Sequence, residues 1–262
     1  MNSRNRGFTL IELSIVLVII GLIVGGVLVG RDLIQAAQIR AQMTQIEQIN
    51  AATNTFRGKY NQLPADLTHT HAVAFGFTPY WDDDTSTTAE DGFIDGTAPN
   101  KTEPLVFFKN LDEAHLYACT GCIFTFDWAA DKTWDLQFTA AKIGNNDFII
   151  VLGGPAPPNY FDGVDMNKNY IEIYGSYAGS GFAMTPLQAF AIDAKMDDGL
   201  PLAGRVQAVN ENGGPSGMWY GTRAPASGAA GTDNCVSTST TPNSYNTTNK
   251  GILCGMRVEA QF

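Results

Sequence analysis

One acidic side chain stands inside a long apolar run near the start of the chain. Glu12 is the only charged residue between Phe8 and Val29. A carboxylate in apolar surroundings is unfavourable by about 3 kcal/mol or more unless it has a partner or lies shallow at the membrane surface. A cut between Gly7 and Phe8 would create an α-amino group four residues before Glu12, on the same helical face. That amino group could pair with its own Glu12 or with the Glu12 of an adjacent copy, and pairing between copies would set the register of packed helices.

Four cysteines form a second reactive set: Cys119, Cys122, Cys235 and Cys254. An even number favours disulfides in an oxidising compartment, and of the three connectivities we favour the local pairs 119–122 and 235–254. The Cys-x-x-Cys spacing also occurs in redox and zinc motifs. Here it follows a predicted helix instead of opening one, and no second such pair exists, so a structural bridge is favoured. The 235–254 bridge would stabilise its Ser/Thr/Asn-rich segment by about 3 kcal/mol.

Other ligand types occur in two small groups. His69 and His71 fall in a predicted loop, without an assignable third metal ligand. Asp193, Asp197 and Asp198 surround the predicted end of a helix, where carboxylates would suit calcium. Acidic residues in turns commonly cap backbone groups instead. We therefore expect no metal and no cofactor, with calcium as the alternative to test.

Glu12 lies within an apolar segment near the N-terminus, and the location of this segment determines the surroundings of the carboxylate. The run from Phe8 to Val29 would span about 33 Å as a helix, enough to cross a bilayer. A secretory signal peptide has its cleavage site after the apolar region, but residues 30–36 offer no such site, so this segment is kept. Two arginines precede the run and favour a cytoplasmic N-terminus, although Arg31 on the far side weakens the asymmetry.

The residues Gly7-Phe8-Thr9-Leu10-Ile11-Glu12-Leu13, with the apolar stretch after them, resemble the class III leader and N-terminal helix of type IV prepilins and type II secretion pseudopilins. The resemblance covers roughly residues 1–60. It implies cleavage after Gly7 by a prepilin peptidase, N-methylation of Phe8 and a role for Glu12 in filament assembly. It also implies an assembly ATPase and a platform membrane protein as partners, and local unwinding between Gly21 and Gly30 in the filament.

A continuous helix is predicted from Phe8 to Lys59, because the chain lacks proline there. Its second half carries an apolar stripe: Ile39, Met43, Ile46, Ile49, Thr53 and Phe56. Gln42 and Gln45 are assigned to other faces of this helix. We expect the first half to lie in lipid or a filament core and the second half to lie on a globular domain. A coiled coil is the alternative, but charged flanking positions are few.

The sequence predicts an α+β, pilin-like fold in which this helix packs on a mostly antiparallel sheet. The expected divisions are a leader at 1–7, a membrane or filament-core half at 8–30, an amphipathic half at 31–60 and a globular domain at 61–262. Within that domain, 61–104 is irregular, and helices are predicted at 104–117 and 186–196. Strands are predicted at 123–128, 134–142, 148–152, 170–174, 205–209, 218–220 and 253–259.

The net charge and the lack of catalytic motifs in the sequence limit the functions that we expect. The formal net charge is −10, so nucleic-acid binding is not expected. The sequence shows no nucleophile–base constellation and no phosphate-binding loop, which argues against an enzyme.

We expect a filament subunit, first anchored in the bacterial inner membrane with its large domain in the periplasm. The alternatives are a low-copy minor pilin or adhesin, or a membrane-tethered periplasmic enzyme; pilus and secretion pseudopilus remain undecided. The disulfide-bounded loop resembles that of many type IV pilins and favours the pilus.

Overall fold

The computed structural model describes most of the chain in twelve stretches. They are residues 9–77, 90–94, 103–119, 124–127, 133–136, 138–144, 147–153, 167–175, 183–209, 235–237, 242–251 and 253–262. The structural statements below concern these residues. The predicted strand at 218–220 lies outside them.

One helix, α1 (Leu10–Tyr60), dominates the structure. Thr9 caps its first turn, and Asn61 ends it in the left-handed conformation (φ 57°), with its N–H donating to the Arg57 carbonyl oxygen at 2.8 Å. Among the described residues, α1 is the single helix that is long and apolar enough to cross a membrane, and the apolar part is not buried by the rest of the chain. The predicted continuous helix is therefore observed, with both ends within two residues of the expectation.

The central sheet has five antiparallel strands in the order β3-β4-β5-β9-β6. These strands are β3 (Thr139–Ala140), β4 (Phe148–Gly153), β5 (Asn169–Tyr174), β6 (Val206–Val209) and β9 (Gly255–Glu259). Two further antiparallel pairs lie outside this sheet. β1 (Phe124–Asp127) pairs with β2 (Thr133–Leu136) and precedes it in sequence, and β7 (Val236–Ser237) pairs with β8 (Ser244–Tyr245) and falls between β6 and β9. The last strand of the chain thus lies inside the sheet, where β5 and β6 pair with its two edges.

Because successive side chains of a strand point to opposite faces of the sheet, one face is apolar and the other carries a row of polar residues. One cross-strand row joins Val151, Ile171, Val258 and Val206, all essentially buried. On the opposite face, Glu172 aligns with Arg257, and Arg257 aligns with Gln207. The Arg257 guanidinium donates twice to the Gln207 side-chain oxygen, at 2.9 and 2.6 Å. The apolar face belongs to one core with α1, α3 (Phe107–Glu113) and α4 (Pro186–Met196).

The second half of α1 presents the predicted stripe to this core. Ile46, Ile49 and Phe56 are fully buried, and Met43 is partly buried against them. The assignment of Gln42 and Gln45 to other faces was wrong, since both are buried. One atom of each amide, the Gln45 Nε2 and the Gln42 Oε1, satisfies a backbone group near the β3 edge, which favours polar side chains at these two positions.

Polar side chains fix α1 at two separate places. Gln45 donates to the Ala140 carbonyl oxygen at 2.8 Å, and the Gln42 oxygen accepts the Lys142 N–H at 2.8 Å. Farther along the helix, Asn50 accepts the Gln261 N–H at 2.8 Å, and Asn54 donates to the Gln261 carbonyl at 2.7 Å. The helix is thereby attached both to the outer edge strand and to the C-terminal tail that follows β9.

Several element boundaries differ from the prediction. The segment 61–104 is not wholly irregular, because α2 (His69–Phe75) lies within it, capped by Thr68. The helix predicted at 104–117 is a short 3₁₀ helix (Glu103–Leu105) followed by α3, and the chain turns at His115 with φ 57°. The strand predicted at 134–142 is divided between β2 and β3, which belong to different sheets. The helix predicted at 186–196 is α4 with the same bounds.

A buried carboxylate holds a short segment beside the end of α1. Asp66 accepts the backbone N–H groups of Glu90, Asp91 (3.2 Å) and Gly92 (2.8 Å). Burial raises the pKa of Asp66 to about 7, an effect that exceeds the opposing effect of these hydrogen bonds. Asn169 of β5 holds the same segment from the other side, where its side-chain oxygen accepts the Ile94 N–H at 2.9 Å.

We predict that Gln45→Ala lowers the free energy of unfolding by about 1–3 kcal/mol, because it removes the buried donor of the Ala140 carbonyl. Gln48→Ala is the matched control, since Gln48 is exposed on the same helix and we expect a change within about 0.5 kcal/mol. Denaturant unfolding of the detergent-solubilised full chain, followed by tryptophan fluorescence, measures both. Equal effects of the two variants would contradict the attachment role of Gln45.

Asp66 should make stability fall as pH rises from about 4 to 7. The folded chain holds the Asp66 proton more tightly than the unfolded chain does, because the pKa of Asp66 is raised from its ordinary value near 4 to about 7. The contribution of Asp66 to the free energy of unfolding is therefore fully present below pH 4 and is lost as the pH rises toward 7. Asp66→Asn should flatten this part of the profile, whereas Glu47→Gln, at an exposed site, should not. Unfolding curves at pH 4, 5, 6 and 7 measure the slopes, and an unchanged slope in Asp66→Asn would contradict the assignment.

Candidate functional site

The first turn of α1 places Glu12 where its carboxylate reaches back along the chain. Glu12 is the third helical residue, and its Oε2 accepts both the backbone N–H and the hydroxyl of Thr9 at 2.8 Å. The Thr9 hydroxyl oxygen in turn accepts the Glu12 N–H at 3.3 Å. This reciprocal capping box satisfies N–H groups that a helix end leaves without partners. Gly7 and Phe8, the predicted cleavage and methylation residues, lie outside the described residues.

The capping box has a consequence for the predicted amino group at position 8. A carboxylate at the third helical position points toward the residues that precede the helix, because side chains of a helix lean toward its N-terminus. It therefore already faces the side of the chain on which an amino group at Phe8 would be created. A negative charge there also interacts favourably with the positive end of the helix dipole.

The surface beside Glu12 is apolar on all sides of the helix. Every large apolar side chain from Leu10 to Val29 is at least half exposed. A continuous apolar surface of this size marks contact with a membrane or another protein. Each such side chain contributes about 1.5–3 kcal/mol when it leaves water. The arrangement can therefore anchor the chain in a membrane or bury itself against copies of the same helix.

Four glycines interrupt this surface at Gly21, Gly25, Gly26 and Gly30. Among the described residues, no atom lies within 4 Å of a Cβ placed at any of them, so packing in this part of the folded chain does not require glycine there. All four are helical in the single chain. Small residues at this spacing let a second helix approach closely, and glycine weakens the helix locally. Local unwinding in a filament stays a prediction about the assembled state.

One predicted disulfide is present between Cys235 and Cys254, with the Cα atoms 5.1 Å apart. Both cysteines are buried, and Cys254 also exchanges two backbone hydrogen bonds with Met184, each 3.0 Å long, just before α4. The bridge therefore fastens the segment 235–254 to the start of α4 and to β9. Cys119 is also disulfide-bonded. Its expected partner, Cys122, lies outside the described residues.

A buried tyrosine attaches the segment closed by the bridge to α4. Tyr245 is buried, and its ring packs edge-on against Phe190 of α4, with centroids 6.0 Å apart. Its hydroxyl donates to Asp193 Oδ2 at 2.8 Å, and the neighbouring charge and burial raise the pKa of Tyr245. The composition of this segment indicated little apolar content, but this one aromatic residue joins it to the core.

The three aspartates at the end of α4 do lie together. Oxygen atoms of Asp193, Asp197 and Asp198 lie within 4.8 Å of one another. Each carboxylate already accepts donors from the protein: Gly199 N–H on Asp193 (3.1 Å), Val206 N–H on Asp197 (3.1 Å) and Leu200 N–H on Asp198 (2.8 Å). Burial raises the pKa of Asp193 to about 6. These contacts fix the turn between α4 and β6, and calcium binding stays the untested alternative to the expectation that no metal is bound.

The two histidines lie in a helix, which corrects their assignment to a loop. His69 and His71 occupy the first turn of α2. His71 Nδ1 pairs with the Glu90 carboxylate, and the His71 ring stacks on Phe75 with centroids 6.0 Å apart. The signal for α2 was present in the sequence, since Thr68 is a good N-cap and Gly76 suits the left-handed C-cap (φ 81°).

Removing the Cys235–Cys254 bridge should destabilise the chain by about 3 kcal/mol in the chain-entropy model. The double variant Cys235→Ser, Cys254→Ser tests this by denaturant unfolding. Cys119→Ser, Cys122→Ser is the comparison, since on the favoured connectivity it opens a much shorter loop and should lose only about 2 kcal/mol. A smaller loss for the 235–254 variant than for the 119–122 variant would contradict the structural role assigned to the longer loop.

Comparison with known proteins identifies one segment. Residues 2–28 match the family model of the prokaryotic N-terminal methylation motif. No curated protein and no solved structure matches the chain. The matched segment contains Gly7, Phe8 and Glu12 together with most of the exposed apolar surface.

Proposed function

We propose that this chain, which carries the class III prepilin leader of type IV pilins and pseudopilins, is a non-enzymatic structural subunit of a helical filament. Prepilin peptidase cuts it after Gly7, and Phe8 is then N-methylated. The mature subunit polymerises into a type IV pilus or a type II secretion pseudopilus. The observation that carries this proposal is the match at residues 2–28 on a helix whose apolar half is exposed on every side.

Before assembly, the subunit is anchored in the inner membrane by the first half of α1. Its N-terminus is cytoplasmic and its large domain is periplasmic. The Cys235–Cys254 bridge supports this location, because disulfides persist in oxidising compartments. Extraction from the membrane requires an energy source, which by resemblance is an assembly ATPase acting through a platform membrane protein.

Glu12 sets the axial register of neighbouring subunits in the filament. In the single chain, its carboxylate is bound by Thr9. After cleavage, the new amino group on Phe8 of a neighbouring subunit offers it a full positive charge. A helix shifted along its axis would leave both charges without partners in apolar surroundings, which is strongly unfavourable. The apolar surface supplies the energy of packing, and the ion pair selects one axial position.

Glu12→Ala should reduce incorporation into filaments at least about a hundredfold, because removing one partner of a buried ion pair costs about 3–5 kcal/mol. Cleavage after Gly7 and folding of the large domain should be unchanged. Glu47→Ala, at an exposed site in the second half of α1, is the matched control and should incorporate normally. Sheared filaments are quantified by immunoblot, and the mature N-terminus is determined by mass spectrometry.

Two results would contradict the proposal. Normal incorporation of correctly cleaved Glu12→Ala would remove the register role. A mature N-terminus downstream of position 30 would remove the filament-core helix itself. A tethered enzyme, the alternative from the sequence, would keep its activity in Glu12→Ala. The abundance of the wild-type chain in sheared filaments distinguishes a major subunit from a minor one.

A further inference from the structure

A groove lies where the apolar half of α1 meets the globular domain. It has a volume of about 590 Å³, within the range of about 300–1,000 Å³ typical of small-molecule sites. Its walls come from α1 between Leu28 and Gln38, from the first turn of α4 and from residues 247–250 near the disulfide. We call it the junction groove.

The position of the junction groove relates it to the membrane surface, and this step rests on the proposed function. If the apolar run ends at Val29, Ile34 lies about 7.5 Å farther along the helix. The headgroup layer on each side of a bilayer core is about 5–8 Å thick. The groove therefore opens in the headgroup layer, with Leu28 at the edge of the hydrocarbon core.

The groove combines apolar and charged side chains in a way that suits a lipid. Leu28, Ile34 and Leu187 contribute an apolar lining, and Ile34 and Leu187 are exposed. Arg31 and Lys250 contribute two exposed cations from different elements. Within the part of the chain that the structure describes, neither cation takes part in an ion pair.

The charge of the groove contrasts with that of the whole chain. The chain carries a formal net charge of −10, yet the charged groups of the groove are two cations and one carboxylate, Asp32. Arginine and lysine both bind phosphate, arginine through two parallel hydrogen bonds and lysine as a point charge. A carboxylate beside them suits an ammonium group. The groove thus offers partners for both charges of a zwitterionic headgroup.

We infer that the junction groove binds the headgroup of an ethanolamine phospholipid in the periplasmic leaflet. The phosphate is bound by Arg31 and Lys250, and the ammonium group is bound by Asp32. The glycerol and the upper acyl chains pack on Leu28, at the core side of the groove, while Ile34 and Leu187 line the outer side of the bound headgroup. The lipid thereby fastens the large domain to the membrane surface at a defined height before assembly.

The test measures lipid affinity on the processed full chain, purified in a mild detergent and analysed by native mass spectrometry. The probes are dioleoyl phosphatidylethanolamine, dioleoyl phosphatidylglycerol and dioleoylglycerol, which lacks the phosphate. Arg31→Gln, Lys250→Gln should bind the ethanolamine lipid at least about 25-fold more weakly, because each lost hydrogen bond to the charged phosphate accounts for at least about a fivefold factor in affinity. Arg40→Gln, Lys195→Gln is the matched control: both residues are exposed and do not line the groove.

Asp32→Asn tests the contact with the ammonium group separately from the contacts with the phosphate. It should reduce the preference for ethanolamine over glycerol headgroups about fivefold, while phosphate-dependent binding remains. Equal lipid affinity of the wild type and the Arg31/Lys250 variant would overturn the inference, as would equal binding of dioleoylglycerol. Loss of filament incorporation without loss of lipid affinity in that variant would also overturn it, and would identify the groove as a contact between subunits.

The same preparations distinguish this inference from the proposed function. A chain that is processed and incorporated normally but shows no phosphate-dependent lipid binding contradicts the lipid site alone. A chain that binds the lipid through Arg31 and Lys250 but never enters filaments contradicts the filament role alone. Thermal unfolding of each variant verifies that the exposed substitutions leave the fold intact.

Discussion

The structure depends on one constraint: no described part of the large domain covers the first half of α1. The sheet, α3 and α4 bury a stripe that begins near Ile39, and every large apolar side chain from Leu10 to Val29 is left exposed. Water is a poor solvent for such a surface. On the proposed function, lipid covers this surface while the chain is a monomer, and other helices cover it in the filament. One segment can serve both states because its apolar surface is suited to acyl chains and to copies of itself.

The second half of α1 meets a different requirement, which is a fixed position on the domain. Apolar contacts alone tolerate small shifts along a helix, whereas buried hydrogen bonds must all be re-formed at a new position. Gln42 and Gln45 attach α1 to the β3 edge, while Asn50 and Asn54 attach it to Gln261. The strand before Gln261 is β9, which lies inside the sheet. The helix is therefore attached to the edge strand β3 and to the tail of the interior strand β9, through buried side chains at Gln42, Gln45 and Asn50 and an exposed one at Asn54.

How far the sequence predicts this structure depends on the range of the interactions involved. The continuous α1, the bounds of α4 and the strands β4 and β5 follow from local periodicity and caps, and the structure contains them. The burial of Gln45 does not follow from local pattern, because its partner at Ala140 is 95 residues away. The same holds for Asp66, which binds backbone groups 24 to 26 residues farther along the chain. The division of the predicted strand 134–142 between two sheets likewise depends on pairing with distant strands, about which a short window carries no information.

The motif at the start of the chain can be recognised without tertiary structure because its residues lie in seven consecutive positions, and the family match at residues 2–28 contains them. Cleavage after Gly7 and pairing of Glu12 stay predictions from that motif. What the structure adds is that Thr9 occupies the Glu12 carboxylate in the isolated chain. Both of these hydrogen bonds go to Oε2, and a carboxylate can accept about four. On the proposed function, an amino group of a neighbouring copy can therefore pair with Glu12 without displacing the Thr9 cap. The cap holds the carboxylate in one orientation, so this pairing is favourable only where the two helices are aligned.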